Sequence, residues 1–273
     1  MSKNHTLTSY IPLWIQVTRL DRPIGWMVLL WPTWIALTLA GFSANEFKLD
    51  TWVIFTLGVI ITRSAGCVIN DLTDRKFDKH VKRTQARPIT TGNLSVKNAV
   101  AVTIILLIIA FLLVLQTNQQ TIYLSFIALG LAIVYPWLKR ITFWPQVGLG
   151  LAFSMAIPMS FTAYEQPIDR IAWALFLGNV AWTLAYDTLY AMVDRDDDLL
   201  IGVKSTAIVF GRYDLFAIGC CQLIAISGFG YAFWLAKLNP LSVLGIFAAF
   251  GLTLRQHAIA RSRSREACFE AFL

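Results

Sequence analysis

Long apolar runs dominate the chain, and shorter polar stretches separate them. Each run is about 17–23 residues long, enough for one helix to cross a hydrocarbon core of about 30 Å. They lie at residues 24–42, 52–72, 98–116, 121–137, 145–164, 168–190, 215–237 and 240–259. The strand alternation of a membrane barrel is missing from the sequence, so the pattern predicts an all-α, polytopic transmembrane bundle with eight spans.

The composition supports this class. The chain has 273 residues, of which 57% are hydrophobic and 14% are charged, whereas soluble domains carry about 25% charge. Residues 1–23 lack an apolar core followed by a small-residue cleavage site, so we expect no removable signal peptide. The four cysteines lack metal-ligand spacing, and we interpret them as packing residues. They are Cys67, Cys220, Cys221 and Cys268.

Lysine and arginine are distributed unevenly among the polar segments. With a cytoplasmic N-terminus, nearly all of the 23 basic residues fall on the cytoplasmic side, as the positive-inside rule requires. The other side carries Lys48, Arg170 and Lys237, and Arg63 lies inside a span. Basic loops beside anionic lipid account for the formal net charge of +7 without a nucleic-acid partner.

Two predicted cytoplasmic loops are long, at about residues 73–97 and 191–214. Each follows an Asp-rich helix end, and the two helices concerned are four spans apart. This spacing suggests a duplicated four-helix unit, with halves at roughly residues 20–140 and 141–260. We therefore expect a single transmembrane domain over residues 1–273.

The Asp-rich ends form two groups of polar side chains. On a continuous helix, Asp71, Asp74 and Asp78 fall within about 60° of one another, and Arg63, Asn70 and Asp74 within about 40°. In the second group, Asp187, Asp194 and Asp198 fall within about 40°, while Asp196 points away. Both groups are expected at the cytoplasmic mouth of the bundle.

Clustered carboxylates stay ionised only when a cation is shared among them. Asp and Asn oxygens suit Mg²⁺, which binds one or two carboxylates together with substrate phosphates. Nearby basic side chains can hold phosphate oxygens directly. These are Arg75, Lys76, Lys82, Arg83, Arg87 and Lys204. The pattern predicts a diphosphate site bridged by metal.

Each of these residues has a simpler explanation when it is taken alone. A single Asp at a helix exit is usually a solvated loop residue, and basic loop residues are usually topology determinants. Arg63 fits a structural ion pair as well as a ligand contact. Two acidic groups, each on one helix face and each before a long basic loop, favour the paired-site interpretation.

The motifs at these positions are NDLTDRKFD (70–78) and DRDDD (194–198), and the chain resembles the UbiA family of intramembrane aromatic prenyltransferases. Further similar stretches support this resemblance, which runs from about residue 19 to the end and is most similar to the 4-hydroxybenzoate branch of ubiquinone synthesis. They are DRPIGWMVLLWPTWIAL (21–37), RSAGCVINDLTDRKFDKHVKRTQARPI (63–89), YPWLKRITFWPQ (135–146) and YDTLYAMVDRDDDLLIGVKSTAIVFG (186–211).

The resemblance implies a fold and a reaction. The family has nine transmembrane helices around a central cavity, and this chain stops where a ninth would begin, so we expect a truncated or naturally short form. The implied reaction is the Mg²⁺-dependent transfer of a long prenyl chain from polyprenyl diphosphate to 4-hydroxybenzoate, ortho to its hydroxyl. The implied setting is a bacterial inner membrane with a cytoplasmic active site, surrounded by lipid.

Site residues follow from the resemblance by position. Asn70 and Asp74 match the first metal-binding pair, and Asp194 and Asp198 match the second. Asp71, Asp78 and Asp187 complete the expected metal group. The candidates for diphosphate contact are Arg63, Lys76, Arg83 and Lys204. Arg140 is the candidate for the benzoate carboxylate, and with Asp74 and Asp194 it forms the expected catalytic set.

Other functions remain open from the residues alone. A transporter would use the carboxylates to bind a translocated cation. That function would be favoured by helix breaks at the membrane midplane, whereas the acids here lie at one face of the membrane. A CDP-alcohol phosphotransferase would show one long Asp motif. Homogentisate, naphthoate and haem are alternative acceptors within the resembled family.

Overall fold

The computed structural model describes residues 12–273, and in that part of the chain helices and connecting turns account for the whole fold, without strands. The all-α prediction is confirmed. The helices are α1 (Leu13–Thr18), α2 (Ile24–Ala44), α3 (Leu49–Asp74), α4 (Pro88–Thr91), α5 (Val96–Val114), α6 (Gln119–Ile141), α7 (Pro145–Ser154), α8 (Ala156–Ala163), α9 (Arg170–Ile201), α10 (Thr206–Phe210), α11 (Asp214–Leu235), α12 (Leu241–Ala260) and α13 (Arg265–Phe272).

The long helices identify a multi-pass membrane protein. Within residues 12–273, 7 helical segments are long and apolar enough to cross a membrane, and one of them is α7 followed directly by α8. The remaining predicted span, at residues 168–190, corresponds to the first part of α9, which starts at Arg170, is 32 residues long and carries the second Asp-rich motif. The apolar side chains of α5, α6 and α12 are largely exposed, as lipid-facing side chains are.

The two Asp-bearing helices, α3 and α9, pack most extensively on the spanning helices that follow or flank them, α5 for α3 and α11 for α9. Small residues allow the second pair to approach closely. A Cβ added at Gly228 of α11 would lie 2.9 Å from the carbonyl oxygen of Ala174 and 3.0 Å from Cα of Gly178. The division into halves remains a prediction.

The ends of α3 and α9 differ from the sequence prediction. α9 continues as a helix to Ile201 and ends at Gly202, whose φ of 73° is a left-handed conformation that glycine adopts easily. The predicted loop at 191–214 is therefore helical over DRDDD. In contrast, α3 ends at Asp74, and Asp78 begins a separate 3-10 turn (Asp78–His80). Asp78 consequently does not share the helical stripe of Asp74.

Candidate active site

A large cavity lies between the helices, and residues of both acidic motifs line it. Its volume is about 820 Å³, and helices α2, α3, α5, α6, α7, α8, α9 and α13 contribute to its walls. Polar and charged side chains occupy the end where α3 and α9 finish. Further in, apolar side chains make up most of the lining, with Phe55, Val59, Phe111, Leu129 and Met159 among them. The cavity thus combines a charged mouth with a hydrophobic interior.

The first motif presents two oxygen ligands around one ammonium group. Lys139 Nζ of α6 lies 3.2 Å from Asn70 Oδ1 and 3.1 Å from Asp74 Oδ2. Asn70 and Asp74 are one helical turn apart on α3, which brings both oxygens to the same face. The ammonium therefore occupies a position between two oxygens where a metal cation would also be attracted.

The other two carboxylates of the first motif are bound by arginines. Arg19 Nη2 donates to both oxygens of Asp71 at 2.9 Å, and Arg87 Nη1 lies 2.9 Å from Asp71 and 2.8 Å from Asp78. Burial raises the pKa of Asp78, although the charge of Arg87 opposes that rise. These pairs fasten the segment before α2 and the loop after α3 to the end of α3.

The second motif is bound by the long basic loop. Arg83 Nε lies 3.1 and 3.0 Å from the two carboxylate oxygens of Asp194, and Arg83 Nη1 donates to the Tyr190 hydroxyl. Its guanidinium carbon also stands 4.5 Å from the centre of the Tyr190 ring. Asp198 lines the cavity one turn further along α9 and forms no ion pair with a described residue. Asp196 is exposed, as its helical position predicted.

A neighbouring carboxylate joins the mouth to the last helix of the chain. Asp197 accepts from Arg265 Nη1 of α13 at 2.9 Å and from the backbone N–H of Lys82 at 3.2 Å. Phe269 and Phe272 of α13 then extend along the cavity wall. Asp197 therefore holds together the basic loop, α9 and α13 without being available to a ligand.

A second polar layer lies deeper in the cavity. Arg63 precedes Asn70 by seven residues and Tyr186 precedes Asp194 by eight, which places them about 10–12 Å further from the mouth. Arg63 Nε donates to the Gly25 carbonyl oxygen at 2.8 Å, and Nη1 contacts Cys67 Sγ at 3.1 Å. Within residues 12–273, neither Arg63 nor Asp187 forms an ion pair, although both line the cavity.

The structure does not bring every candidate into the cavity. Lys76 is exposed and lies outside the lining. Arg140 also lies outside it. Its guanidinium donates to the Thr73 carbonyl oxygen at 2.7 Å, lies 3.8 Å from Asp74 Oδ1 and stacks on Trp137 at 4.8 Å. Lys204 reaches the lining, where its Nζ donates to the Ile141 carbonyl oxygen at 3.1 Å.

The sequence patterns do not predict several residues that line the cavity. They mark Arg19 and Lys139 only as basic residues on the predicted cytoplasmic side, and they identify none of the cavity's tyrosines. The stretch YPWLKR at 135–140 contains both Tyr135 and Lys139, one turn apart on α6, and this spacing was the available signal. The contacts of Lys139 with two side chains of α3 depend on the packing of α6 against α3, which a single sequence does not reveal.

The donor set fits a metal that arrives with its own additional ligands. Among the described residues, no group of three His, Cys, Asp or Glu side chains could hold a metal ion by itself. Asn70 with Asp74, and Asp194 with Asp198, each offer two side chains with oxygen donors. Mg²⁺ typically takes one or two carboxylates and completes its shell with water and substrate phosphates. These pairs therefore fit Mg²⁺ together with a diphosphate.

Comparison with known proteins places the chain among enzymes. The model of the UbiA prenyltransferase family matches residues 29–273. The 4-hydroxybenzoate octaprenyltransferase of Tolumonas auensis is 51% identical over 96% of this chain and 91% of its own length. The enzyme of the same name from Pseudoalteromonas translucida is 49% identical over 97% of this chain and 90% of its own length.

Solved structures share the fold. A UbiA homolog from Aeropyrum pernix K1 superimposes with a TM-score of 0.79 at 22% identity, covering 90% of this chain and 92% of that one. A UbiA homolog from Archaeoglobus fulgidus bound to GPP and Mg²⁺ gives a TM-score of 0.72 at 21% identity, covering 92% and 88%.

Proposed function

The chain belongs to the UbiA prenyltransferase family, and we propose that it transfers a polyprenyl chain from polyprenyl diphosphate to 4-hydroxybenzoate in ubiquinone synthesis. The alignment with enzymes named 4-hydroxybenzoate octaprenyltransferase covers about nine-tenths of their length, and this similarity supports 4-hydroxybenzoate as the acceptor. Within the family it is favoured over homogentisate, naphthoate and haem.

One observation carries the proposal. A cavity has two sets of oxygen ligands facing cations at its mouth, and apolar walls behind them. A prenyl diphosphate has the same division into a charged head and a hydrocarbon tail. A cation transporter would not need Arg19, Arg83, Arg87 and Lys139 at its binding site, because these charges repel a cation.

The mouth holds the diphosphate through metal and protein cations. Asn70 and Asp74 on one side, and Asp194 and Asp198 on the other, would hold Mg²⁺. When bound, Mg²⁺ neutralises the charge that develops on the leaving diphosphate. Lys139 and Arg83 are already at the mouth, so they can transfer their hydrogen bonds from carboxylates to phosphate oxygens without large movements.

The apolar walls of the cavity exclude water from the reacting carbon. The bond between the allylic carbon and the diphosphate oxygen breaks, and its electron pair leaves with the diphosphate. The allylic cation that remains would react with water, so the apolar lining protects it. The tail lies along these walls, and the surrounding lipid receives the part of a long chain that the cavity does not enclose.

The deeper polar layer suits the acceptor. Arg63 is a cavity-lining cation without a carboxylate partner among the described residues, so we assign the benzoate carboxylate to it. The sequence pointed to Arg140 for this role and to Arg63 for diphosphate, but Arg140 lies outside the cavity lining. The ring carbon ortho to the hydroxyl bonds to the allylic carbon, and Asp187 then takes the proton that this carbon loses.

The test is prenylation of 4-hydroxybenzoate in membranes that contain this chain, with a polyprenyl diphosphate and with or without Mg²⁺. We expect a metal-dependent product that Asp74→Ala abolishes. A well-inserted protein that prenylates homogentisate or naphthoate but not 4-hydroxybenzoate would overturn the acceptor assignment. A protein with no activity on any aromatic acceptor would overturn the proposed reaction.

The orientation and the internal repeat belong to the same proposal. The active site faces the cytoplasm of a bacterial inner membrane, because the basic loops and the cavity mouth lie on one side. The two halves, at roughly 20–140 and 141–260, each supply one Asp-bearing helix, α3 or α9. A duplicated unit explains why the two oxygen-ligand pairs face each other across one cavity.

A further inference from the structure

Among residues 12–273, the Tyr186 hydroxyl is buried in the cavity wall without a hydrogen bond of normal geometry. The side chain of Tyr186 is among the cavity-lining residues, with 7% of the residue exposed. Its hydroxyl oxygen is shielded from solvent and makes no hydrogen bond of normal geometry within the described part of the chain, where the Thr183 side chain is the polar group near it. Leaving a buried polar group in this state is unfavourable, because its hydrogen bonds to water are lost and not replaced. A ligand that supplies the missing hydrogen bond would remove this cost.

The ring of Tyr186 is fixed by its neighbours. It packs edge-on against Trp182, with centroids 6.5 Å apart, and against Phe272 of α13, with centroids 6.2 Å apart. The hydroxyl is therefore positioned by packing rather than by hydrogen bonds. Asp187 follows it directly in α9 and also lines the cavity.

The distance of the Tyr186 hydroxyl from the cavity mouth determines which ligand it can contact. In the described part of the lining, Ser205 is the other buried side chain whose oxygen lacks a partner, and it lies beside Lys204 at the mouth. Tyr186 lies about 12 Å along α9 from Asp194, and helical side chains lean toward the N-terminus, away from Asp194. A diphosphate held at the mouth is therefore out of its reach, whereas the acceptor layer with Arg63 is at the same depth.

We propose that the Tyr186 hydroxyl hydrogen-bonds the phenolic oxygen of the aromatic acceptor and so holds the ring across the cavity from Arg63. This inference rests on the proposed function. Arg63 on α3 and Tyr186 on α9 belong to different walls. An acceptor with a carboxylate at one end of a rigid ring and a hydroxyl at the other joins them. When both its carboxylate and its hydroxyl are held, the ring carbon ortho to the hydroxyl faces the allylic carbon.

The experiment compares two ligands that differ by one hydroxyl. The binding of 4-hydroxybenzoate and of benzoate is measured by equilibrium dialysis with the purified full chain, Mg²⁺ and an unreactive prenyl thiolodiphosphate. We expect the wild type to prefer 4-hydroxybenzoate about tenfold. Tyr186→Phe should lose this preference while its affinity for benzoate is unchanged. Tyr231→Phe, at an exposed position on α11, is the matched control and should retain the preference.

Further readouts separate this role from a structural one. Removing an unpartnered hydroxyl should leave the thermal stability of Tyr186→Phe unchanged or raised, and KM for 4-hydroxybenzoate should rise more than kcat falls. Equal loss of both ligands, or a retained preference in Tyr186→Phe, overturns the inference while wild-type activity leaves the proposed function intact. A wild type that binds neither ligand and makes no product contradicts the proposed function itself.

Discussion

At the residue scale, consecutive acids of one helix have different surroundings. Asp194 lines the cavity and binds Arg83, Asp196 is exposed, and Asp197 binds Arg265. These residues are of the same type, so the composition of the motif DRDDD does not reveal this difference. The helical rotation of about 100° per residue assigns each carboxylate to its own environment.

This difference predicts unequal effects of the same substitution. Asp194→Asn removes a charge that faces the diphosphate site, so we expect prenyl transfer to fall at least about 100-fold. Asp196→Asn changes an exposed carboxylate in the same motif and should retain nearly full activity. The measurement is the rate of prenyl transfer in membranes that contain equal amounts of each variant. Similar losses of rate in both variants would contradict the placement of Asp194, and not Asp196, at the diphosphate site.

Lys139 offers a second prediction at this scale. Its ammonium lies between Asn70 and Asp74 and competes with a metal for their oxygens. In the absence of diphosphate, Lys139→Met should therefore bind Mn²⁺ about tenfold more tightly. Prenyl transfer should nevertheless slow, because a cation that faces the leaving group is lost.

The measurement for Lys139 is electron paramagnetic resonance titration with Mn²⁺ alone. Lys204→Met is a suitable comparison, because Lys204 lines the cavity but contacts a carbonyl oxygen instead of a carboxylate. Its Mn²⁺ affinity should match that of the wild type. An unchanged affinity in Lys139→Met would show that the ammonium does not compete with metal.

At the element scale, the contact between α9 and α11 depends on glycine. A Cβ at Gly228 would press on backbone atoms of α9, which have no freedom to move aside. Gly228→Ala should therefore lower the free energy of unfolding by about 1–3 kcal/mol. Gly245→Ala on α12 meets open space and should be neutral. Thermal unfolding in detergent measures both, and equal melting temperatures would contradict the close packing.

A buried carboxylate joins the ends of three helices on the side of the cavity mouth. Asp214 at the start of α11 is fully buried and binds Arg195 of α9 at 2.6 Å and Arg263, which follows α12, at 2.9 Å. Asp214→Asn leaves two guanidinium groups without their counter-ion, which should cost about 3 kcal/mol.

The exposed pair of Glu46 and Lys48 provides the comparison for Asp214. Its atoms are 3.3 Å apart, and the Glu46 side chain is 53% exposed. Glu46→Gln should cost less than about 1 kcal/mol. The two variants are compared by thermal unfolding in the same detergent. If Asp214→Asn were as stable as Glu46→Gln, Asp214 would not be the fastening point between these helices.

At the scale of the whole molecule, the positive-inside distribution predicts the orientation of the bundle. Glu46 and Lys79 are exposed in loops on opposite sides of the predicted membrane. In a variant without the native cysteines, Glu46→Cys should react with an impermeant maleimide on intact spheroplasts. Lys79→Cys should react only after permeabilisation. The reverse labelling pattern would overturn the cytoplasmic orientation of the active site.

The sequence alone determined the class of fold and much of the site's chemistry. Apolar runs of membrane-spanning length specify transmembrane helices, because a backbone in lipid must satisfy its hydrogen bonds internally. The two acidic motifs could be found because charged groups at a helix exit of such a chain are expensive and therefore conspicuous. Helical periodicity also gave the outward direction of Asp196.

Only the tertiary structure decided which side chains share the cavity. Lys139 meets Asp74, and Arg83 meets Asp194, across long separations in sequence, and such contacts depend on how helices pack together. α3 ends at Asp74, whereas α9 continues through its acidic motif to a local glycine cap at Gly202. The proposed roles of Arg63 and Tyr186 depend on their surroundings for the same reason. Among the described residues, Arg63 has no carboxylate partner and the Tyr186 hydroxyl has no hydrogen bond of normal geometry, and a single sequence specifies neither fact.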